Sequence, residues 1–166
     1  MPKIVIRSVR QEDLPSLWDI DTKVMTINED PNRVFPADYD EFVHRLLKVS
    51  TLVAVAPQGK ILGFLDYSYV LPIEMHGKQW NFEVAVDQAA QGLGVGKKLL
   101  QHLLVNAQAE KIVKISLRVL GTNPNAIGFY EHFGFQQEGH YKKEFFLNGR
   151  WVDDYQYALY YPYLNE

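Results

Sequence analysis

Gln91-Gly92-Leu93-Gly94-Val95-Gly96-Lys97-Lys98 lies past the middle of a chain of 166 residues. The preceding run, Trp80-Asn81-Phe82-Glu83-Val84-Ala85-Val86, has the composition and alternation of a strand. The following run, from Val95 through Leu99, Leu100, Leu103 and Leu104 to Ala107, has the apolar spacing of an amphipathic helix that packs on a sheet. A glycine-rich turn between strand and helix presents N–H groups with no helical acceptor at the positive end of the helix dipole, a setting that attracts phosphate oxygens. Glycines at 92, 94 and 96 let the backbone approach such a ligand with no Cβ in the way. Spacing discriminates among the phosphate loops. A P-loop requires glycine where Gln91 stands and a hydroxyl residue where Lys98 stands. A dinucleotide fingerprint starting at Gly92 requires glycine at 97, which is Lys97, and it belongs more naturally at the start of a doubly wound chain. What remains is Gln-x-x-Gly-x-Gly over 91–96, with a plain strand-to-helix turn still open as the alternative.

Composition narrows the field. The length predicts one domain, residues 1–166, with a real core. Hydrophobic residues make up 47% and aromatic residues 13%, as in a compact fold with aromatic packing. A formal charge of −3 supplies no basic field for nucleic acid or acidic membranes, so neither is an expected partner. Absence of cysteine excludes disulfides, thiolate metal sites and thiol catalysis on this chain. The five histidines, at 44, 76, 102, 132 and 140, form no pair at metal-ligand spacing, so no metal is expected. Met1-Pro2-Lys3-Ile4-Val5-Ile6-Arg7 is charged too early for a signal peptide. No apolar run approaches the roughly 20 residues that span a bilayer. The expectation is a soluble, cytoplasmic protein.

Taken in order, Lys3–Val9 predicts a strand. Arg10-Gln11-Glu12-Asp13 opens a helix carrying Leu14, Leu17 and Trp18, with Pro15 in its first turn. Residues 26–37 are loop-like. Asp38–Lys48 predicts a helix with Tyr39, Phe42, Val43, Leu46 and Leu47 on one face. Strands follow at Leu52–Ala56 and Ile61–Leu71, divided by Pro57-Gln58-Gly59-Lys60 and ended by Pro72, and His76-Gly77-Lys78 turns into the strand that reaches Val86. After the glycine loop and its helix, Ile112–Leu120 is a strand. Asn123 as N-cap, Pro124 in the first turn and Gly134 as stop bracket one more helix. Tyr141–Leu147, Asn148-Gly149 and Arg150–Tyr161 read as a closing hairpin. The order is βαα, βββ, α, β, α, ββ: an α/β domain with a mixed sheet.

The second block carries a specific resemblance. Leu117-x-Val119-x-x-x-Asn123-x-x-Ala126-x-x-Phe129-Tyr130-x-x-x-Gly134-Phe135 follows the glycine loop. Together the two blocks resemble the paired motifs of the GNAT superfamily of N-acetyltransferases, in the order that family uses. The resemblance implies a mixed, mostly antiparallel twisted sheet with about four helices and splayed central strands. It implies acetyl-CoA as co-substrate. Backbone N–H groups of Gln91, Gly92, Leu93, Gly94, Val95, Gly96 and Lys97 would cradle the CoA pyrophosphate. Val84, Ala85 and Val86 would pair with the pantetheine amides, Asn123 and Asn125 would lie along the pantetheine arm, and Tyr130 would sit near the sulfur.

The chemistry shows why such groups are useful. An alkylamine with a pKa of about 10 must lose a proton before it attacks a thioester. Negative charge then develops on the carbonyl, where an N–H near Val84 could stabilise it. A tyrosine at about 10 can protonate a departing thiolate at about 8.5 in a nearly balanced transfer, which makes Tyr130 the candidate acid. Glu83 is the candidate base, directly or through water, because a carboxylate in an otherwise apolar strand is costly unless used or paired. Structural alternatives stand beside these: helix–sheet packing for Tyr130, a solvated edge or a structural pair for Glu83, a cap alone for Asn123.

The expected acceptor is a small-molecule amine or a peptide N-terminus. Glu29, Asp30, Asp38, Asp40, Asp153 and Asp154 make the acceptor regions acidic, which suits a cationic amine. The stretch from Glu138-Gly139 to Phe146-x-x-Gly149-x-x-x-Asp153 resembles the branch containing ribosomal-protein N-terminal and polyamine acetyltransferases. A longer acyl donor, a CoA-binding module without catalysis, and homodimerisation remain open.

Overall fold

The structure, a computed structural model, describes residues 3–26, 30–71 and 73–161. Among these, seven strands and four α-helices run in the order expected from the sequence: β1 (Val5–Ser8), α1 (Leu14–Val24), α2 (Tyr39–Leu46), β2 (Ser50–Val55), β3 (Ile61–Tyr69), β4 (Gln79–Val86), α3 (Val95–Ala109), β5 (Lys114–Leu120), α4 (Pro124–His132), β6 (Gln136–Leu147) and β7 (Arg150–Tyr160). The strand order is β1-β2-β3-β4-β5-β7-β6. Pairing is antiparallel except between β4 and β5, a parallel pair that the α3 crossover makes accessible. That ladder joins Gln79 to Lys114, Trp80 to Ile115 and Asn81 to Ser116, so Val84, Ala85 and Val86 lie past it. Short 3₁₀ turns occupy Gln11–Asp13, Glu74–His76 and Gln88–Ala90. Ile27, Asn28, Glu29 and Pro72 lie outside the described residues, and with them part of the 26–37 loop and the proline expected to end the third strand.

By contact the chain falls into two compact units. The first comprises Met1–Met25, Val34–Ser68 and Phe82–Glu110. Its core joins Leu17 and Ile20 of α1, Phe42 and Leu46 of α2, Val53 of β2, Phe64 of β3 and Ala85 of β4. Alternation along the pleat turns Val53 and Phe64 toward α1 and α2, and turns their neighbours Ala54 and Gly63 toward α3. α3 buries Val95, Leu99, Leu100, Leu103 and Ala107. Removing such a side chain from water contributes about 1.5–3 kcal/mol, so these two layers hold β2 to β4 between them. α2 starts where Asp38 caps it, its carboxylate accepting from the Glu41 N–H at 2.9 Å. Leu47, expected on the buried face, is 78% exposed because the helix ends at Leu46 and the cap turns it outward.

The second unit comprises Thr26–Arg33, Tyr69–Asn81 and Lys111–Glu166. Asn123 caps α4 through its side-chain oxygen, which accepts from the Ala126 N–H at 3.1 Å. Gly134 ends the helix at φ 89°. The Asn148-Gly149 turn has φ of 51° and 78°, the left-handed pair that a two-residue hairpin demands. β6 begins at Gln136, five residues before the expected Tyr141. Its burial is slight and its side chains polar, so no apolar alternation marks its start.

Candidate active site

The glycine loop is built in the first unit. Asp87 caps the 3₁₀ turn through the Ala89 N–H at 3.1 Å and pairs with Lys60 at 3.1 Å. That N–H, then Lys60, hold the Asp87 carboxyl below the usual range. Gly92 and Gly94 follow at φ 76° and 78°, and no atom lies within 4 Å of where a Cβ would stand on either. Gly94 is the N-cap of α3 and has no side chain to satisfy the first-turn N–H groups, among them those of Val95, Gly96 and Lys97. Gln91 to Gly94 are exposed, whereas Val95 is 1% exposed and anchors the loop to the core. The Gln91 and Leu93 N–H groups are donated within the loop, to Gln88 and Ala90 at 3.4 Å each, so the first-turn N–H groups of α3, beside glycines with no obstructing Cβ, are the part of the predicted cradle that fits a diphosphate.

Glu83 stands on the α1/α2 side of β4, two residues before the buried Ala85. It is not alone there. Arg45, in the last turn of α2, places Nη1 3.6 Å from Glu83 Oε2, and Nη2 3.4 Å from Asp66 Oδ2 and 3.6 Å from Asp21 Oδ1. Thr51 Oγ1 donates to Asp66 Oδ1 at 2.7 Å. The Asp21 and Asp66 side chains are 4% and 5% exposed, Arg45 24% and Glu83 40%, so the charges step from core to surface. Glu83 is thus a paired carboxylate at the accessible end of a buried network. Sequence reasoning missed Arg45, Asp21 and Asp66. The signal was there: Asp21 follows Leu17 at helical spacing on the buried stripe of α1, and Asp66 interrupts the apolar run of β3.

Asn123, Asn125 and Tyr130 belong to the second unit. The Asn123 oxygen serves α4 as cap, leaving its amide N–H groups as donors. Asn125 is exposed in the first turn of α4. Tyr130 is buried, with its ring 5.3 Å from that of Phe129 and 5.9 Å from that of Phe135. Burial, and after it the negative charge of Asp30, push its hydroxyl well above the ordinary tyrosine value. That shift runs against the nearly balanced proton transfer expected from the sequence and favours a hydroxyl that keeps its proton. Burial also raises the Asp30 carboxyl, against the opposing effect of Arg33.

The acidic acceptor regions are largely occupied. Asp38 is a helix cap. Asp154 is 1% exposed, paired with Arg118 and accepting from Asn32 Nδ2 at 2.9 Å. Asp153 accepts from the Lys143 N–H at 2.8 Å and meets His140 Nε2 at 2.7 Å. Asp30 is half-buried, Asp40 is exposed, and Glu29 lies outside the described residues. Among the described residues no group of three or more His, Asp or Glu is arranged to hold a metal, and no helix is long and apolar enough to cross a membrane.

A mostly antiparallel seven-stranded sheet with one parallel crossover and four helices is the architecture of the N-acetyltransferase fold expected from the sequence. The profile of the Acetyltransferase (GNAT) family matches residues 14–135, and the chain belongs to that family. It is similar to the spermidine N(1)-acetyltransferase of Vibrio cholerae, 30% identical over 129 residues that cover 76% of this chain and 72% of that one. It is similar to the [ribosomal protein bS18]-alanine N-acetyltransferase of Salmonella typhimurium, 25% identical over 125 residues, 75% of this chain and 76% of that one. The crystal structure of smu.2055 from Streptococcus mutans superposes with a TM-score of 0.86 at 28% identity, covering 94% of this chain and 98% of that one. The chain is an enzyme of the N-acetyltransferase class.

Proposed function

We propose that residues 1–166 work as one acyltransferase domain that moves an acetyl group from acetyl-CoA to a primary amine by direct attack in a ternary complex. The observation that carries this reading is the turn at Gly92 and Gly94, where positive φ and open space leave the first-turn N–H groups of α3 without a side-chain cap. Acetyl-CoA supplies a thioester carbonyl open to an amine. Gln91 to Lys97 hold its diphosphate. The backbone of Val84, Ala85 and Val86 aligns the pantetheine arm, with Asn123 and Asn125 as further donors. Glu83 takes the proton from the acceptor ammonium, directly or through one water, and releases it to solvent. As the C–S bond breaks, Tyr130 donates a hydrogen bond to the departing sulfur, and the proton shed by the newly bonded nitrogen passes through solvent to that thiolate to give the thiol.

A cationic amine suits this chain. Its relatives act on spermidine and on a ribosomal protein's alanine, and Glu83 presents the outer edge of a cluster in which three carboxylates share one guanidinium. Thiol release from acetyl-CoA, followed with spermidine, spermine, free amino acids and an alanine-initiated peptide, tests the reading. Turnover with any of these amines that Glu83→Gln abolishes supports it. Tight acetyl-CoA binding without turnover of any amine would replace it with a binding module, and turnover only with longer acyl donors would change the donor.

A further inference from the structure

We infer that Arg45 is a positioning residue that fixes the Glu83 carboxylate, and that Asp66 and Asp21, by drawing on the same guanidinium, set how readily Glu83 takes up a proton. This rests on Glu83 being the base.

The geometry divides one side chain between two tasks. Arg45 Nη2 faces inward to Asp66 and Asp21 at 3.4 and 3.6 Å, and Nη1 faces outward to Glu83 at 3.6 Å. The guanidinium also lies 5.5 Å from the Phe42 ring centroid, on its own helix. Asp66 is held in turn by Thr51. Two carboxylates this deeply buried attract a cation, because an uncompensated charge in the interior is costly. Arg45 is therefore held from the inside by charge rather than by hydrogen bonds to these carboxylates, and it stands at ion-pair distance from Glu83.

The charge count gives the second half. Three carboxylates and one guanidinium carry −3 + 1 = −2 when all are ionised. The groups that bear on Glu83 through this cluster come from three elements: Arg45 from α2, Asp21 from α1 and Asp66 from β3. His44, beside Arg45 on α2, is exposed. Arg45 favours the Glu83 carboxylate, whereas the excess negative charge of Asp66 and Asp21 opposes it. When Glu83 accepts a proton from the acceptor ammonium, the cluster falls to −1 and Arg45 stays compensated by its two buried partners. Protonation of Glu83 thus relieves repulsion without stranding a buried cation, which suits a group that must take up and release a proton in every turnover.

Arg45 and Asp66 therefore act with opposite sign, a signature that a merely structural role would not give. The test uses the full chain labelled with ¹³C-glutamate. The Glu83 carboxyl resonance, assigned by its loss in Glu83→Gln, is titrated in the wild type, Arg45→Lys, Arg45→Gln and Asp66→Asn. The pH profile of kcat/KM with acetyl-CoA and spermidine is recorded in parallel. Asp66→Asn should move the Glu83 midpoint down by at least about half a pH unit, and Arg45→Gln should move it up by at least as much. Arg45→Lys should restore most of the midpoint while leaving kcat reduced, because a point charge lacks the two-pronged fork. If Asp66→Asn does not fold, Asp21→Asn carries the downward shift, and if Arg45→Gln does not fold, Arg45→Met, which also removes the charge, carries the upward one. Coincident midpoints, or shifts in one direction for both changes, alongside an inactive Glu83→Gln, would overturn this inference alone. A Glu83→Gln enzyme with the wild-type rate and pH profile would overturn the base assignment and this inference together.

Discussion

A Cβ on Gly63 would stand 2.6 Å from the carbonyl oxygen of Ala85. It would also lie 3.2 Å from Val95 Cγ1, at the start of α3. Gly63 on β3 thus sets how closely β4 and the helix behind the glycine loop can approach. Gly63→Ala must push β4 outward, at a cost of about 1–3 kcal/mol by the usual penalty for overpacking. Because the displaced backbone includes Ala85, acetyl-CoA affinity should fall as well. Urea denaturation and calorimetric titration check both; unchanged stability would mean that the contact relaxes freely.

Gly94→Val separates binding from folding. Nothing occupies the space beside Gly94, so the fold has room for the side chain. The φ of 78° costs a branched residue about 1–2 kcal/mol. The expected result is a folded protein with a modestly lower Tm and acetyl-CoA affinity reduced by more than tenfold. Normal acetyl-CoA binding by this variant would remove the cradle from the site.

Tyr130→Phe should lower kcat by about 10- to 100-fold with little change in the KM for acetyl-CoA. Since burial and Asp30 raise the Tyr130 hydroxyl, that group stays protonated through the ordinary assay range. Rates should therefore show no fall on the alkaline side from Tyr130 ionisation up to about pH 10. A kcat equal to the wild-type value would leave Tyr130 as packing alone.

Asp13 governs acid stability at the start of α1. It accepts from Arg7 Nη1 at 2.6 Å and Nη2 at 2.9 Å, and from the Arg10 N–H at 2.7 Å. Arg7 is the main cause of its lowered carboxyl pKa, despite the opposing effect of burial. A depressed folded-state value stabilises the protein above the unfolded value of about 3.9, and that contribution disappears as pH falls through the folded value. Asp13→Asn should cost about 1–3 kcal/mol at pH 7. The difference from wild type should shrink steadily below about pH 4. Chemical denaturation at a series of pH values measures it; a difference independent of pH would assign the cost to packing.

How much of this was legible depended on sequence separation. Local chemistry could be read directly. Gly92 and Gly94 marked a turn with no Cβ in the way, Asn123, Pro124 and Gly134 bracketed α4, and Asn148-Gly149 named its own hairpin turn. The alternation of β4 placed Glu83 and Ala85 on one face. What stayed hidden were contacts between distant residues. Asp21, Arg45, Asp66 and Glu83 come from four elements, and only the folded sheet brings them to one guanidinium. Nor could residue type reveal that Asp154 is sealed against Arg118 or that burial alters Tyr130, since both follow from packing. The start of β6 escaped because an exposed strand writes no apolar alternation into its sequence.

β6 ends the strand order, so among the described residues one side of a strand of 12 residues has no neighbour in the sheet. Such an edge is a template on which a second chain can grow by strand addition. Its ladder with β7 shifts register between Tyr141 and Phe145, and there Lys143 adopts φ 51° while its N–H is tied back to Asp153. With Lys142 beside it, the irregularity puts charge and a kink in the middle of the free edge. The hairpin can thus stay long without inviting edge-to-edge stacking, a safeguard against aggregation built into the same irregularity that breaks the β6–β7 register.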